Sequence, residues 1–196
     1  MSARKRIFKE DILSAGIRVI QKHGAEALTV RNIAGELGCS TQPIYSEFRN
    51  LDALKAALLP YAEEKYLRFS FTNYKELALS FLEFAQTQKE LFKFLYLRKR
   101  KNGEKIIEDV NYDATVKLLS KNLEMTEKQA KDMHRWMQYY CYTQGVMLAT
   151  DYRDLSLQEM GKELTELFSI MLRHYKAVKS EEELQNWLEK ARNLII

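Results

Sequence analysis

The chain has 196 residues, with 31 Lys and Arg against 27 Asp and Glu, for a net charge of +4. At 46% hydrophobic and 30% charged it can bury a core, which excludes a disordered chain. Cys39 and Cys141, the 2 cysteines, form neither a disulfide framework nor a metal cluster, and this fits a reducing cytosol.

No run approaches the ~18 apolar residues of a membrane span, and the basic N-terminus lacks a signal peptide's apolar stretch. With 2 Pro and 7 Gly, turn signals are too scarce for a strand-rich fold, so the expected class is all-α. The charge is uneven. Residues 1–60 hold nine basic and six acidic groups; the rest are nearly balanced. Such asymmetry hints at nucleic-acid or membrane contact.

Phe8, Ile12, Ala15, Val19 and Ile20 form one apolar helical stripe, and Gly24 should end that helix in the left-handed conformation. Thr29 caps a short second helix from Val30 to Leu37, closed by Gly38. Ser40 is expected to cap a third, Thr41 to Phe48, with Pro43 in its first turn. Asn50 caps a fourth beginning at Leu51, and Pro60 should kink that helix or divide it from the next. Longer helices are expected near 74–87, 89–98, 105–122, 127–151, 157–177 and 181–195. Asn73, Thr126, Ser156 and Ser180 are their caps.

The informative stretch is Thr29 to Phe48, TVRNIAGELGCSTQPIYSEF. Two short helices meet at Gly38-Cys39-Ser40. Ala34 permits close approach, Gly38 permits a positive-φ turn, and Ile44 closes a small core. A plain αα-hairpin would not need a polar outer face on its second helix. Ser40, Thr41, Gln42, Tyr45 and Ser46 are small or flat hydrogen-bonding groups that suit a major groove.

On these residues the chain resembles the TetR family of bacterial transcriptional regulators. The matching features are the first helix ending at Gly24, then Thr29-Val30-Arg31-Asn32-Ile33-Ala34, Gly38-Cys39-Ser40, Tyr45-Ser46-Glu47-Phe48 and Asn50-Leu51-Asp52-Ala53-Leu54. The resemblance implies a helix-turn-helix DNA-binding domain over 1–58 (motif 29–48). It also implies a helical-bundle ligand-binding and dimerisation domain over 59–196.

It implies that Thr29 meets a phosphate and that Tyr45 touches the DNA backbone. Ser40, Thr41, Gln42 and Pro43 then face base edges, with Gln42 the direct reader of adenine. Arg4, Lys5, Arg31 and Arg49 complete the expected DNA-binding set. The family often places a lysine at the start of the fourth helix. Leu51 stands there, which leaves Arg49 or Lys55 to supply that contact or the affinity lower.

Phe92, Tyr96, Met137, Tyr140 and Gln144 are the candidate ligand-binding residues, from two helices that offer apolar walls and a few polar groups. His23, His134 and His174 make no metal spacing, and His134 belongs on a helix surface or in a satisfied polar contact. No catalytic grouping, metal or cofactor is expected. The chain is expected to be a cytoplasmic homodimeric repressor that binds a palindromic operator in double-stranded DNA, contacts no membrane and is released by a small molecule. The alternative is a protein of the same fold that serves as a small-molecule or protein interaction module without operator binding.

Overall fold

A computed structural model describes residues 6–99 and 109–192. Among them there are ten α-helices and no strand, and no helix is long and apolar enough to cross a membrane. The chain divides into two compact units. One comprises Met1–Leu67 with Gln88–Ile107, the other Arg68–Thr87 with Glu108–Ile196.

In the first unit α1 (Lys9–His23) is the central element, packed against α2 (Val30–Leu37), α3 (Gln42–Glu47), α4 (Leu51–Tyr66) and α6 (Lys89–Phe92). Its start is fixed by Asp11, whose carboxylate accepts the Phe8 backbone N–H at 2.8 Å. Gly24 ends it at φ 80°, ψ 169°. That is a positive-φ glycine conformation, but not the left-handed helical well expected, because the chain leaves extended before a 3₁₀ turn at Ala25–Ala27. Ile12, Ile17, Ile20, Leu28, Ile33, Ile44, Leu54 and Leu58 form the core. Gly16 matters to this packing, since a Cβ there would stand 3.2 Å from Leu58.

Helix α4 runs unbroken through Pro60 to Tyr66, so the expected division does not occur. Its buried stripe, Leu54, Leu58 and Ala62, keeps four-residue spacing across the proline. The segment expected as one helix over 89–98 is instead α6 followed by a π-helical turn, Lys93–Leu97. Phe92 is fully buried there and stacks on Tyr96 at 4.7 Å between centroids.

The second unit is a bundle of α5 (Tyr74–Thr87), α7 (Tyr112–Asn122), α8 (Glu127–Ala149), α9 (Leu157–Lys176) and α10 (Glu181–Arg192). Helix α5 packs on α8 and α9, α7 lies on α8, and α10 contacts α5, α7 and α9. Thr126 with Gln129, and Ser156 with Glu159, form the capping boxes that open α8 and α9. The α7 start falls at Tyr112, and the expected portions at 105–108 and 193–195 lie outside the described residues. Met160, Leu164, Phe168 and Leu172 recur every four residues and turn one face of α9 into the core.

Candidate nucleic-acid interface

The interface is built from the turn outward. Thr29 Oγ1 accepts the Asn32 N–H at 3.1 Å, which satisfies one of the N–H groups left open at the start of α2. Gly38 takes the left-handed conformation, φ 65°, ψ 36°. Its N–H donates to Gly35 O at 3.1 Å, and the Cys39 N–H donates to Ala34 O at 3.0 Å. This pair of bonds is the Schellman arrangement, which closes α2 and turns the chain into α3 within a few residues.

Helix α3 is then held by its inner side. Ile44 and Phe48 are buried, as are Ile33 and Ala34 of α2. The opposite side is free of the core: Ser40, Thr41, Gln42, Tyr45, Ser46 and Arg49 are exposed, and Pro43 is half-buried. Tyr45 has 56% of its surface exposed, which leaves a large ring in solvent. Ser40 does not cap the helix as expected. Thr41 is the capping residue, its side chain makes no cap hydrogen bond, and its carbonyl accepts the N–H groups of Ile44 and Tyr45. Its backbone is already in the right-handed helical region, whereas a capping side chain calls for an extended residue.

Thr29 and Arg31, at the start of α2, are also exposed. Arg4 and Lys5 lie outside the described residues. Not every basic group of this unit is available. Glu36 accepts from Arg18 Nε and Lys22 Nζ, each at 2.8 Å, which ties α2 to α1. The two cations, Lys22 first and Arg18 second, hold the Glu36 carboxyl below its ordinary range. Lys9 stands over the Phe48 ring, 5.5 Å from its centroid. Spacing alone does not show that Arg18 and Lys22 serve the scaffold, because their partner lies on a different helix.

Of the candidate ligand residues, Phe92 and Tyr96 belong to the first unit. Met137, Tyr140 and Gln144 belong to the second. Met137 is buried and lines a cavity of about 240 Å³ between α5, α8, α9 and α10. Tyr140 donates to Glu163 at 2.8 Å, and Arg153 bridges Gln144 and Glu163. Those two polar candidates are therefore tied into the connection between α8 and α9.

The second unit also holds a buried polar chain. The Tyr74 hydroxyl lies 2.9 Å from His134 Nδ1, and His134 Nε2 lies 3.1 Å from Asp109 Oδ2. Gln138 and the Asn111 backbone N–H also donate to Asp109. His134 is thus in the satisfied polar contact, not on the surface. Sequence reasoning missed Tyr74 and Asp109, which lie 60 and 25 positions from His134. Among the described residues no group of His, Cys, Asp and Glu could hold a metal.

Residues 12–58 match the family model described as bacterial regulatory proteins, tetR family. Among solved structures the chain is similar to TetR from Acinetobacter baumannii AYE. The two are 17% identical with a TM-score of 0.52, over 93% of this chain and 97% of that one, and this likeness shows the fold. No curated protein matches. The helix-turn-helix lies inside the residues that match the tetR family model, and the described residues of the second unit fold into helices and loops without strands, so the N-terminal unit carries a TetR-type DNA-binding domain.

Proposed function

We propose that this chain is a ligand-responsive repressor that binds a palindromic operator as a homodimer in the cytoplasm and is released by a small molecule. The observation that carries the reading is the outer face of α3. Ile44 and Phe48 anchor the helix, and Thr41, Gln42, Tyr45 and Ser46 stand in solvent. Hydroxyls and a carboxamide on a short helix fit the major groove, where they reach base edges and phosphates. Arg31 and Arg49 supply charge beside them.

A single short helix reads only a few base pairs. Two related by a two-fold axis and spaced ~34–36 Å apart read successive major grooves. The self-association surface is α8, where Trp136, Tyr139 and Tyr142 are 52%, 56% and 41% exposed. Ile170 on α9 is 60% exposed. Large apolar groups clustered in water mark an interaction surface. A ligand that prefers one dimer arrangement shifts the population and changes the spacing of the recognition helices. The chain passes from α4 directly into the second unit, so α4 is the lever.

The test is binding to promoter DNA across a salt series. The expected result is a site-selective complex whose affinity falls steeply as salt rises. Affinity that is flat in salt, or equal for all sequences, overturns the reading.

A further inference from the structure

Beside Met137 the second unit has a partly open cleft of about 240 Å³ between α5, α8, α9 and α10. Its walls are Ala78, Met137, Leu164, Phe168, Leu188 and the Tyr74 ring. Tyr74 and Phe168 form an aromatic side, with centroids 5.8 Å apart and planes inclined at 34°. Ala78 and Ala191 are the small residues that leave the space open.

The polar atoms around it already have partners. The Tyr74 hydroxyl is held by His134. At the mouth, Lys75 Nζ donates to Thr165 Oγ1 at 2.9 Å, and Thr165 in turn donates to Gly161 O. The Lys75 stem lies across Gly161, where a Cβ would meet it at 3.2 Å. Glu76 Oε2 accepts both the backbone N–H and the hydroxyl of Thr72. A charged group deep inside, beside Tyr74, Met137 and Phe168, would lose its water and meet apolar walls, which is costly; Lys75 and Glu76 lie at the rim.

We propose that this cavity binds a neutral, largely apolar small molecule with an aromatic or compact hydrocarbon body. The inference rests on reading the second unit as an effector domain, and it names the chemistry of the effector. Its size follows from the volume: about 240 Å³ suits a two-ring body of about ten non-hydrogen atoms. The Tyr74 and Phe168 rings offer edge and face contacts to it.

Indole is the probe, and naphthoate is the comparator of similar body with a carboxylate. With the full-length chain at about ten times the dissociation constant, indole should raise the melting temperature by about 3–6 °C. It should also shift the methyl resonance of Met137 but not that of Met147. Naphthoate should do neither. Ala78→Leu, which fills the cavity, should abolish both indole effects, and Ala191→Leu is the second variant should the first fail to fold.

An unmoved Met137 signal overturns the proposal. So does indole binding that both filled variants retain, or naphthoate binding equal to indole. Promoter binding is measured on the same samples. DNA binding without any indole effect sinks this proposal alone. An indole effect at Met137 without DNA binding supports the cavity and sinks the regulator.

Discussion

The Tyr74 hydroxyl and His134 Nδ1 stand 2.9 Å apart, both buried in the bundle. Asp109 accepts from Nε2, which therefore carries a proton, and Nδ1 is paired with the Tyr74 hydroxyl. Burial pushes the Tyr74 phenol well above its ordinary pKa, with the Asp109 carboxylate adding to that, so the hydroxyl keeps its proton at all working pH. Tyr74→Phe leaves a buried ring nitrogen without its hydrogen-bond partner. The expected cost is about 1–3 kcal/mol in urea unfolding, with far-UV dichroism unchanged. A loss under a few tenths of a kcal/mol would contradict this bonding.

Asp109 makes the same chain of bonds sensitive to acid. Burial opposes its charge. The hydrogen bond from His134, the backbone N–H of Asn111, electrostatic attraction to the imidazole and the Gln138 amide outweigh that, and its pKa lies below the ordinary 3.8. A depressed carboxylate stabilises the fold above its unfolded pKa, and that contribution is lost as pH falls through the folded value. Melting temperature should therefore drop below about pH 4, and Asp109→Asn should flatten that part of the profile. An Asp109→Asn curve that tracks the wild type through the whole acid range would count against it.

Gly38 and Gly35 lie three residues apart and should respond to alanine with opposite sign. A Cβ at either meets nothing within 4 Å, so backbone alone decides. Gly38 is at φ 65°, where a side chain costs about 1–2 kcal/mol. Gly35 is ordinary helix, and Gly35→Ala should add about 0.5–1 kcal/mol. Denaturant midpoints of the two variants check the pair.

The recognition face separates reading from holding. Gln42→Ala should relax preference at one base position, a loss of about 1–3 kcal/mol of discrimination. Tyr45→Phe should weaken all sites alike. Selected-site sequencing with quantitative gel shifts measures both, and equal sequence-independent losses would remove Gln42 from base readout.

The exposed aromatics of α8 have a direct assay. Trp136→Glu with Tyr139→Glu puts two charges where an apolar surface would be covered. Sedimentation should then give monomers where the wild type gives dimers, with operator affinity lowered and the monomer still folded. A double variant that stays dimeric refutes these residues as the interface.

Helix caps are the most legible elements of the chain. Thr29, Gly38, Asn50, Thr126 and Ser156 take the places their residue types favour, because a cap is set by a few adjacent residues. Pro60 is an exception to local rules. A proline removes one N–H bond, yet the Leu54, Leu58 and Ala62 stripe buried around it keeps α4 whole. The residues around Phe92 favour a single helix, and no periodicity signals the switch to π geometry at Lys93. Ser40 suits a cap by residue type, but the tight turn from Gly38 moves that place to Thr41.

Local spacing is enough to specify the all-α class, the helix-turn-helix and the polar outer face of its third helix. Each depends on residues within about twenty positions of one another, where the geometry of a turn or a helical face is set by neighbours in the chain. Packing between helices then selects which polar groups stay available. Arg18 and Lys22 go to Glu36, and Tyr140 and Gln144 go to the Glu163–Arg153 pair. Tyr74, His134 and Asp109 join across α5, α8 and the segment before α7. These partners are distant in the chain, and no periodicity encodes their meeting. A cavity edged by Ala78 and Ala191 likewise exists only once four helices have closed around it.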